Sequence, residues 1–95
     1  MTVEELRSKL EKEVSSLNSG SFDSIEPALV TELEQLSTAA GALGMNEGRR
    51  LLENLINTIK AIQEGKSHAE SGTIRLTALD FYLKKLSGDS ATEDL

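Results

Sequence analysis

The sequence predicts an all-α protein with the architecture of an antiparallel up-down-up-down four-helix bundle. Four segments repeat apolar residues at three- and four-residue steps, the spacing that places side chains on one face of an α-helix. Short polar or glycine-containing segments separate them, and short connections favour consecutive helices that run side by side in opposite directions. No segment shows the alternation of apolar and polar residues that is typical of a β-strand.

The chain length suits one domain with a single modest core, since it comprises 95 residues. Hydrophobic residues make up 38% of the sequence but aromatic residues only 3%, so the predicted core is aliphatic. We assign the helical domain to residues 1–87 and expect the acidic segment 88–95 to form a flexible tail.

The first helix is predicted to begin at a capping box, because Thr2 and Glu5 have the required residue types and spacing. We expect it to end at Gly20, with this glycine in the left-handed conformation that terminates many helices. Its apolar stripe consists of Val3, Leu6, Leu10, Val14 and Leu17.

The second helix is predicted over about residues 26–43. Asp23 or Ser24 is expected to cap it, and Pro27 falls in its first turn, where a missing N–H is tolerated. Its core-facing stripe consists of Leu29, Leu33, Leu36, Ala40 and Leu43.

The third helix is predicted to follow a break at Gly44, with Asn46 as its cap, and to end at Gly65. Gly48 falls within its apolar sector, so the start of this helix is expected to approach its partner closely. The other members of the sector are Leu51, Leu52, Leu55, Ile56, Ile59 and Ile62.

The fourth helix is predicted over about residues 73–86, after a loop at residues 64–72. Its second apolar sector, Ile74, Ala78 and Phe81, implies either a central position between two neighbours or an exposed surface for a partner. Its core face is predicted to consist of Leu76, Leu79, Tyr82, Leu83 and Leu86.

One face of the second helix is unusual for a solvated surface, because it becomes small and nearly uncharged after Glu34. Two interpretations remain open on spacing alone: a docking surface for another protein, or close approach of a neighbouring helix in the same bundle. The face comprises Thr31, Glu34, Thr38, Gly41, Ala42 and Met45.

Composition also argues against several classes of function. The net charge of −6 disfavours non-specific nucleic-acid binding, which requires a basic patch. There is no cysteine, no apolar run long enough to span a membrane and no signal-peptide pattern, so we expect a cytoplasmic protein that does not enter membranes. His68 is the one histidine, and no glycine-rich phosphate loop is present, so we expect no enzyme, no metal and no cofactor.

Residues 33–55, LEQLSTAAGALGMNEGRRLLENL, resemble the phosphoacceptor region of histidine-containing phosphotransfer (HPt) domains. That family has a histidine, then an apolar residue two positions on, lysine three on, glycine four on and an aliphatic–glycine pair nine and ten on. The matching positions in the present sequence are Leu36, Ala39, Ala40, Gly41, Leu43 and Gly44, with Leu51 and Leu55 in the following helix.

The reactive positions of that family are replaced: the histidine falls at Glu34, the lysine at Ser37 and the glycine at Thr38. The resemblance therefore implies a non-catalytic HPt-like module of two-component signalling. Such a module would bind a response-regulator receiver domain or a histidine kinase without carrying phosphate. The partner-binding residues that we predict are Thr31, Glu34, Ser37, Thr38, Gly41, Ala42 and Met45.

Two alternatives belong to other functional classes. The first is a helical homo-oligomeric scaffold that assembles through Ile74 and Phe81. The second starts from the segment Asp23-Ser24-Ile25-Glu26, which is similar to the Asp-Ser-Leu site of acyl carrier proteins, whose serine carries phosphopantetheine. The loop before Ser24 is shorter than in that family, and an ordinary helix cap explains the segment better.

Overall fold

The computed structural model describes residues 2–20, 22 and 25–86, and the regular elements in this part of the chain are all helical. The predicted all-α class is confirmed for it. The predicted tail at 88–95 and the proposed modification site Ser24 lie outside the described residues. The helices are α1 (Val3–Ser19), α2 (Pro27–Ala42), α3 (Asn46–Gln63) and α4 (Ala69–Leu86).

Helix α1 begins with the predicted capping box. The Thr2 hydroxyl accepts a hydrogen bond from the Glu5 N–H at 3.1 Å, and the Thr2 N–H donates to Glu5 Oε1 at 3.1 Å. The bond from the Thr2 N–H to the carboxylate, with a further contribution from the Thr2 side chain, favours the ionised form and lowers the pKa of Glu5. The prediction for Gly20 is wrong: its φ of −112° and ψ of −168° are extended, so the helix ends without a left-handed residue.

Helix α2 starts at Pro27, as its position in the first turn predicts. The cap residue is Glu26, which makes no side-chain capping bond, so the prediction that Asp23 or Ser24 caps the helix is wrong. Proline disfavours helical geometry in the residue before it, and Glu26 is extended with ψ 145°. The helix therefore begins at the proline itself; Asp23 and Ser24 lie outside the described residues.

Helices α2 and α3 are each followed, two residues after their last residue, by a glycine in the left-handed region: Gly44 with φ +79° and Gly65 with φ +76°. After α2, the N–H groups of Gly44 and Met45 bond back to the carbonyls of Gly41 and Ala40 at 3.1 and 2.9 Å. These two hydrogen bonds supply donors to carbonyl groups that have no partner within the helix. The turn is so tight that Met45, not Asn46, precedes α3, which corrects the prediction that Asn46 is the cap.

Helix α4 begins at Ala69, four residues before the predicted start, so the connection from α3 is shorter than the predicted loop at 64–72. Gly72 was expected to lie outside the helix but is buried within its first turns. The ring of Phe22 packs directly against the glycine backbone. This contact outweighs the low helix propensity of glycine.

The helices pack around one core, with α1 in contact with α2 and α4, and α3 in contact with the same two helices. The buried sector of α2 is rotated from the prediction: it includes Val30 and Ser37, while Leu29 and Leu43 are only partly buried. Val3 in α1 is 43% exposed rather than part of the core. The core is aliphatic except for Phe22 and consists of Leu6, Leu10, Val14, Leu17, Phe22, Val30, Leu33, Leu36, Ala40, Leu52, Leu55, Ile56, Ile59, Ile62, Leu76, Leu79 and Leu83.

Among the described helices, none combines the length and the apolar character that a membrane-spanning segment would need.

Candidate functional site

The residues predicted to bind a partner do not all reach the surface of α2. Thr31, Glu34, Thr38 and Ala42 are exposed. Ser37 is only 6% exposed and faces the interior, so its side chain offers little surface to a partner. Gly41 is half-buried, and Met45, which follows the helix, packs partly against the core.

A shallow groove of about 310 Å³ lies between α2 and α3 and brings three of these residues together with four others. We call it the Glu34 groove. Helix α2 contributes Glu34, Ser37 and Thr38, and α3 contributes Glu53, Ile56, Asn57 and Lys60.

The α3 residues of the groove were missed in the sequence, although their spacing contains a signal. Glu53, Ile56, Asn57 and Lys60 have i, i+3, i+4 and i+7 spacing at the edge of the core face of α3, which includes Ile56, so they share one side of the helix. Which residues of α2 they meet depends on the offset between the two helices. Local periodicity carries no information about that offset.

Glu34 is paired across the groove with Lys60. Its Oε2 lies 3.1 Å from the lysine Nζ, and each side chain is half exposed. Exposed ion pairs of this kind contribute about 0–1 kcal/mol to stability. The pair therefore orients the two charges at the surface without fixing them strongly, and a partner can rearrange it at little cost.

The two threonine hydroxyls of this face donate within α2 itself. Thr38 donates to the Glu34 carbonyl at 3.1 Å, and Thr31 donates to the Pro27 carbonyl at 3.2 Å. This bonding to the preceding turn is the usual way in which a hydroxyl is satisfied inside a helix. Their hydroxyl protons are therefore engaged in the helix.

Arg49 of α3 crosses the face of α2 at Gly41. A Cβ atom added to this glycine would lie 3.0 Å from Arg49 Cδ, so the arginine stem rests on the glycine backbone. The guanidinium of Arg49 lies 3.8 Å from Glu53. The expected uncharged surface after Glu34 is thus corrected: the small residue at 41 accommodates a cationic side chain of the neighbouring helix.

The Glu34 groove brings charged and polar side chains of both helices together. It combines two carboxylates, one ammonium group and an amide with the hydroxyls of Ser37 and Thr38, and its lining, in the part of the chain that the structure describes, contains no imidazole. His68 is exposed in the segment between α3 and α4 and does not line the groove. Within the described residues, no three His, Asp or Glu side chains are grouped closely enough to hold a metal ion.

A second groove, of about 610 Å³, lies between α3 and α4 and is mainly apolar. Ile74 and Phe81 are 66% and 60% exposed there, so the second apolar sector of α4 faces outward rather than a second neighbour. We call this surface the α4 groove. Its lining residues are Glu47, Leu51, Ile74, Thr77, Ala78, Phe81, Tyr82 and Lys85.

The floor of the α4 groove depends on Gly48, which is buried as predicted. A Cβ at this position would lie 3.0 Å from the Tyr82 hydroxyl oxygen, so only glycine lets the ring lie this close to α3. Burial raises the pKa of Tyr82, and its hydrogen bond with the Gly48 backbone acts in the opposite direction.

Comparison of the chain with models of protein families, with curated proteins and with solved structures gave no match.

Proposed function

We propose that this chain is a non-catalytic HPt-like module that binds a response-regulator receiver domain or a histidine kinase in the cytoplasm and carries no phosphate itself. The observation that carries the proposal is the position of Glu34. It replaces the phosphorylated histidine in the HPt-like pattern of residues 33–55, and it is exposed on α2 at the Glu34 groove. An exposed position on α2 is where the HPt-like pattern would present its reactive side chain to a partner.

The cross-helix contacts support an antiparallel up-down-up-down bundle, the architecture that the proposal requires. The late residue Gly41 of α2 meets the early residue Arg49 of α3, whereas Glu34 meets the late residue Lys60. Between α3 and α4, the early residue Gly48 meets the late residue Tyr82. Each pairing is the one expected of neighbours that run in opposite directions.

The charges of the groove support binding without phosphoryl transfer. Phosphorylation of a histidine depends on a neutral nitrogen that attacks phosphorus while cationic groups offset the developing charge. Glu34 supplies an anion that repels the phosphoryl oxygens, and Lys60 is already paired with it. A partner can instead exchange its own charged groups with this pair, since both side chains are half exposed.

Binding is tested with purified receiver domains and histidine kinases encoded near this gene, by isothermal titration calorimetry. Thr38→Arg places a long charged side chain in the groove at an exposed helical position. We expect it to weaken binding at least about tenfold, which corresponds to about 1.4 kcal/mol. Ser16→Arg, at an exposed position on α1, is the matched control and should bind as the parent does.

Circular dichroism establishes that both variants retain the helical content of the parent. Absence of binding to every kinase and receiver in the set would contradict the proposal. Equal binding by the parent and Thr38→Arg would show that the partner uses another surface.

A further inference from the structure

The exposed face of α4 carries a row of residues that are evenly placed about its centre and opposite in charge at its two ends. Glu70, Ile74, Ala78, Phe81 and Lys85 follow one another at four- and three-residue steps, so they lie along one side of the helix. An acidic residue stands at the start of this row, a basic residue stands at its end, and large apolar residues lie between them.

The row is balanced about the midpoint between Thr77 and Ala78. Glu70 and Lys85 lie equally far from this midpoint, and so do Ile74 and Phe81. A second α4 that runs in the opposite direction about the same midpoint would therefore bring unlike residues together. Each acidic end would face a basic end, and each Ile74 would face the Phe81 of the other copy.

This complementarity selects one occupant for the α4 groove. A two-fold axis between two α4 helices repeats both contacts, so two charge pairs and two apolar pairs form at once. A parallel arrangement would place Glu70 against Glu70 and Lys85 against Lys85, which is repulsive. In the antiparallel pair, the exposed side chains of Ile74 and Phe81 would also be buried away from water, which favours association.

We propose that the chain forms a symmetric homodimer in which the α4 groove of each copy receives α4 of the other, antiparallel and centred between Thr77 and Ala78. The proposal does not depend on the proposed function. Helix α3 lines the α4 groove with Glu47 and Leu51, and it lines the Glu34 groove with four later residues. The dimer leaves the Glu34 groove open.

The first experiment measures the mass of the full 95-residue chain by sedimentation equilibrium over a range of concentrations. The parent should change from monomer to dimer as concentration rises, and Phe81→Glu should remain monomeric. Val3→Glu is the matched control, since Val3 is also a large exposed apolar residue but lies on α1. A parent that stays monomeric throughout, or a Phe81→Glu variant that still dimerises, would overturn the proposal.

The second experiment tests the antiparallel pairing by charge reversal. Glu70→Lys and Lys85→Glu should each raise the dimer dissociation constant about tenfold or more, because each creates two like-charge contacts. An equimolar mixture of the two variants should assemble again, since every contact in the mixed dimer is attractive. Failure of the mixture to assemble would exclude this register.

The third experiment locates the symmetry axis. The sequence contains no cysteine, so a single introduced thiol reports on one position. Ala78→Cys should form a disulfide-linked dimer on mild oxidation, since residues beside a two-fold axis approach closely enough for such a bond. Ser8→Cys on α1 should remain monomeric on a non-reducing gel, and reductant should return the Ala78→Cys dimer to monomer. Equal cross-linking of both variants would overturn the proposed interface.

Discussion

At the scale of single residues, Glu34 and Lys60 define what the candidate site can do. The parent chain should accept no phosphoryl group from a phosphorylated receiver or a kinase, because the exposed carboxylate repels the donor. The variant Glu34→His with Thr38→Gly should gain acid-labile, base-stable label, because Lys60 lies on the opposite wall of the groove, where its ammonium can offset phosphoryl charge. Radiolabel transfer from an autophosphorylated kinase measures both outcomes.

The matched control for this gain adds Lys60→Gln to the same variant and should label more slowly. Stable label on the parent at Glu34 or His68 would contradict the non-catalytic interpretation. A well-folded histidine variant that stays inert with several donors would count against the HPt resemblance itself.

Glu13 on α1 provides a residue-scale prediction about pH. Partial burial raises the pKa of its carboxyl above the ordinary value of 4.5, and the nearby charge of Glu32 adds to the effect. Its Oε2 is a buried atom that has no hydrogen-bond partner within the described residues. The ionised form is therefore disfavoured in the folded state, and stability that is present at low pH is lost as pH rises from about 4.5 through the raised pKa.

Glu13→Gln removes that charge and should stabilise the fold near neutral pH by less than about 1 kcal/mol. Urea unfolding at pH 7 and at pH 4 measures the difference in free energy of unfolding. The gain should shrink at the lower pH, where the parent carboxyl is increasingly protonated. A gain of equal size at both values would show that packing, not charge, causes it.

At the scale of the helices, two glycines within the helices should respond to alanine in opposite directions. Gly72 of α4 has three ring atoms of the buried Phe22 within 2.8 to 2.9 Å of the position that a Cβ would take. Gly72→Ala should destabilise the protein by about 1–3 kcal/mol through overpacking, even though alanine favours helices. Urea unfolding of the variant and the parent measures this loss.

Gly41 of α2 is the matched case, because the atom nearest to its added Cβ is Arg49 Cδ, part of a flexible and exposed side chain. The arginine can move aside, so Gly41→Ala should stabilise the fold by up to about 1 kcal/mol. A Gly72→Ala variant as stable as the parent would show that Phe22 does not pack on α4 as described, and a destabilised Gly41→Ala variant would show that Arg49 cannot move aside.

These same residues explain what the sequence could and could not predict. The helices, the Thr2 capping box and the glycine ends at Gly44 and Gly65 follow from local residue types and spacing. The start of α4 does not follow from local sequence, because a glycine at position 72 locally favours a helix end. Its place within α4 depends on the contact of its backbone with the ring of Phe22, which is distant in sequence. The same is true of the candidate site, because contact between Glu34 and Lys60 depends on how far one helix is offset along the other.

At the scale of the whole molecule, α3 separates two surfaces of different character. The Glu34 groove on one side is polar and carries both signs of charge, whereas the α4 groove on the other is mainly apolar. A dimer through α4 would present two Glu34 grooves in one particle. If a partner is itself dimeric, binding at both grooves would strengthen the complex without any new contact.

Tyr82, which closes the floor of the α4 groove, also gives the protein an optical property. The chain contains one tyrosine and no tryptophan, so nearly all of its near-ultraviolet absorption and emission arises from a single phenol ring. That ring lines the surface on which we place the second copy and is absent from the lining of the Glu34 groove. The fluorescence of Tyr82 therefore reports on binding at α4 in the unlabelled protein. It does not report on direct contacts made at Glu34.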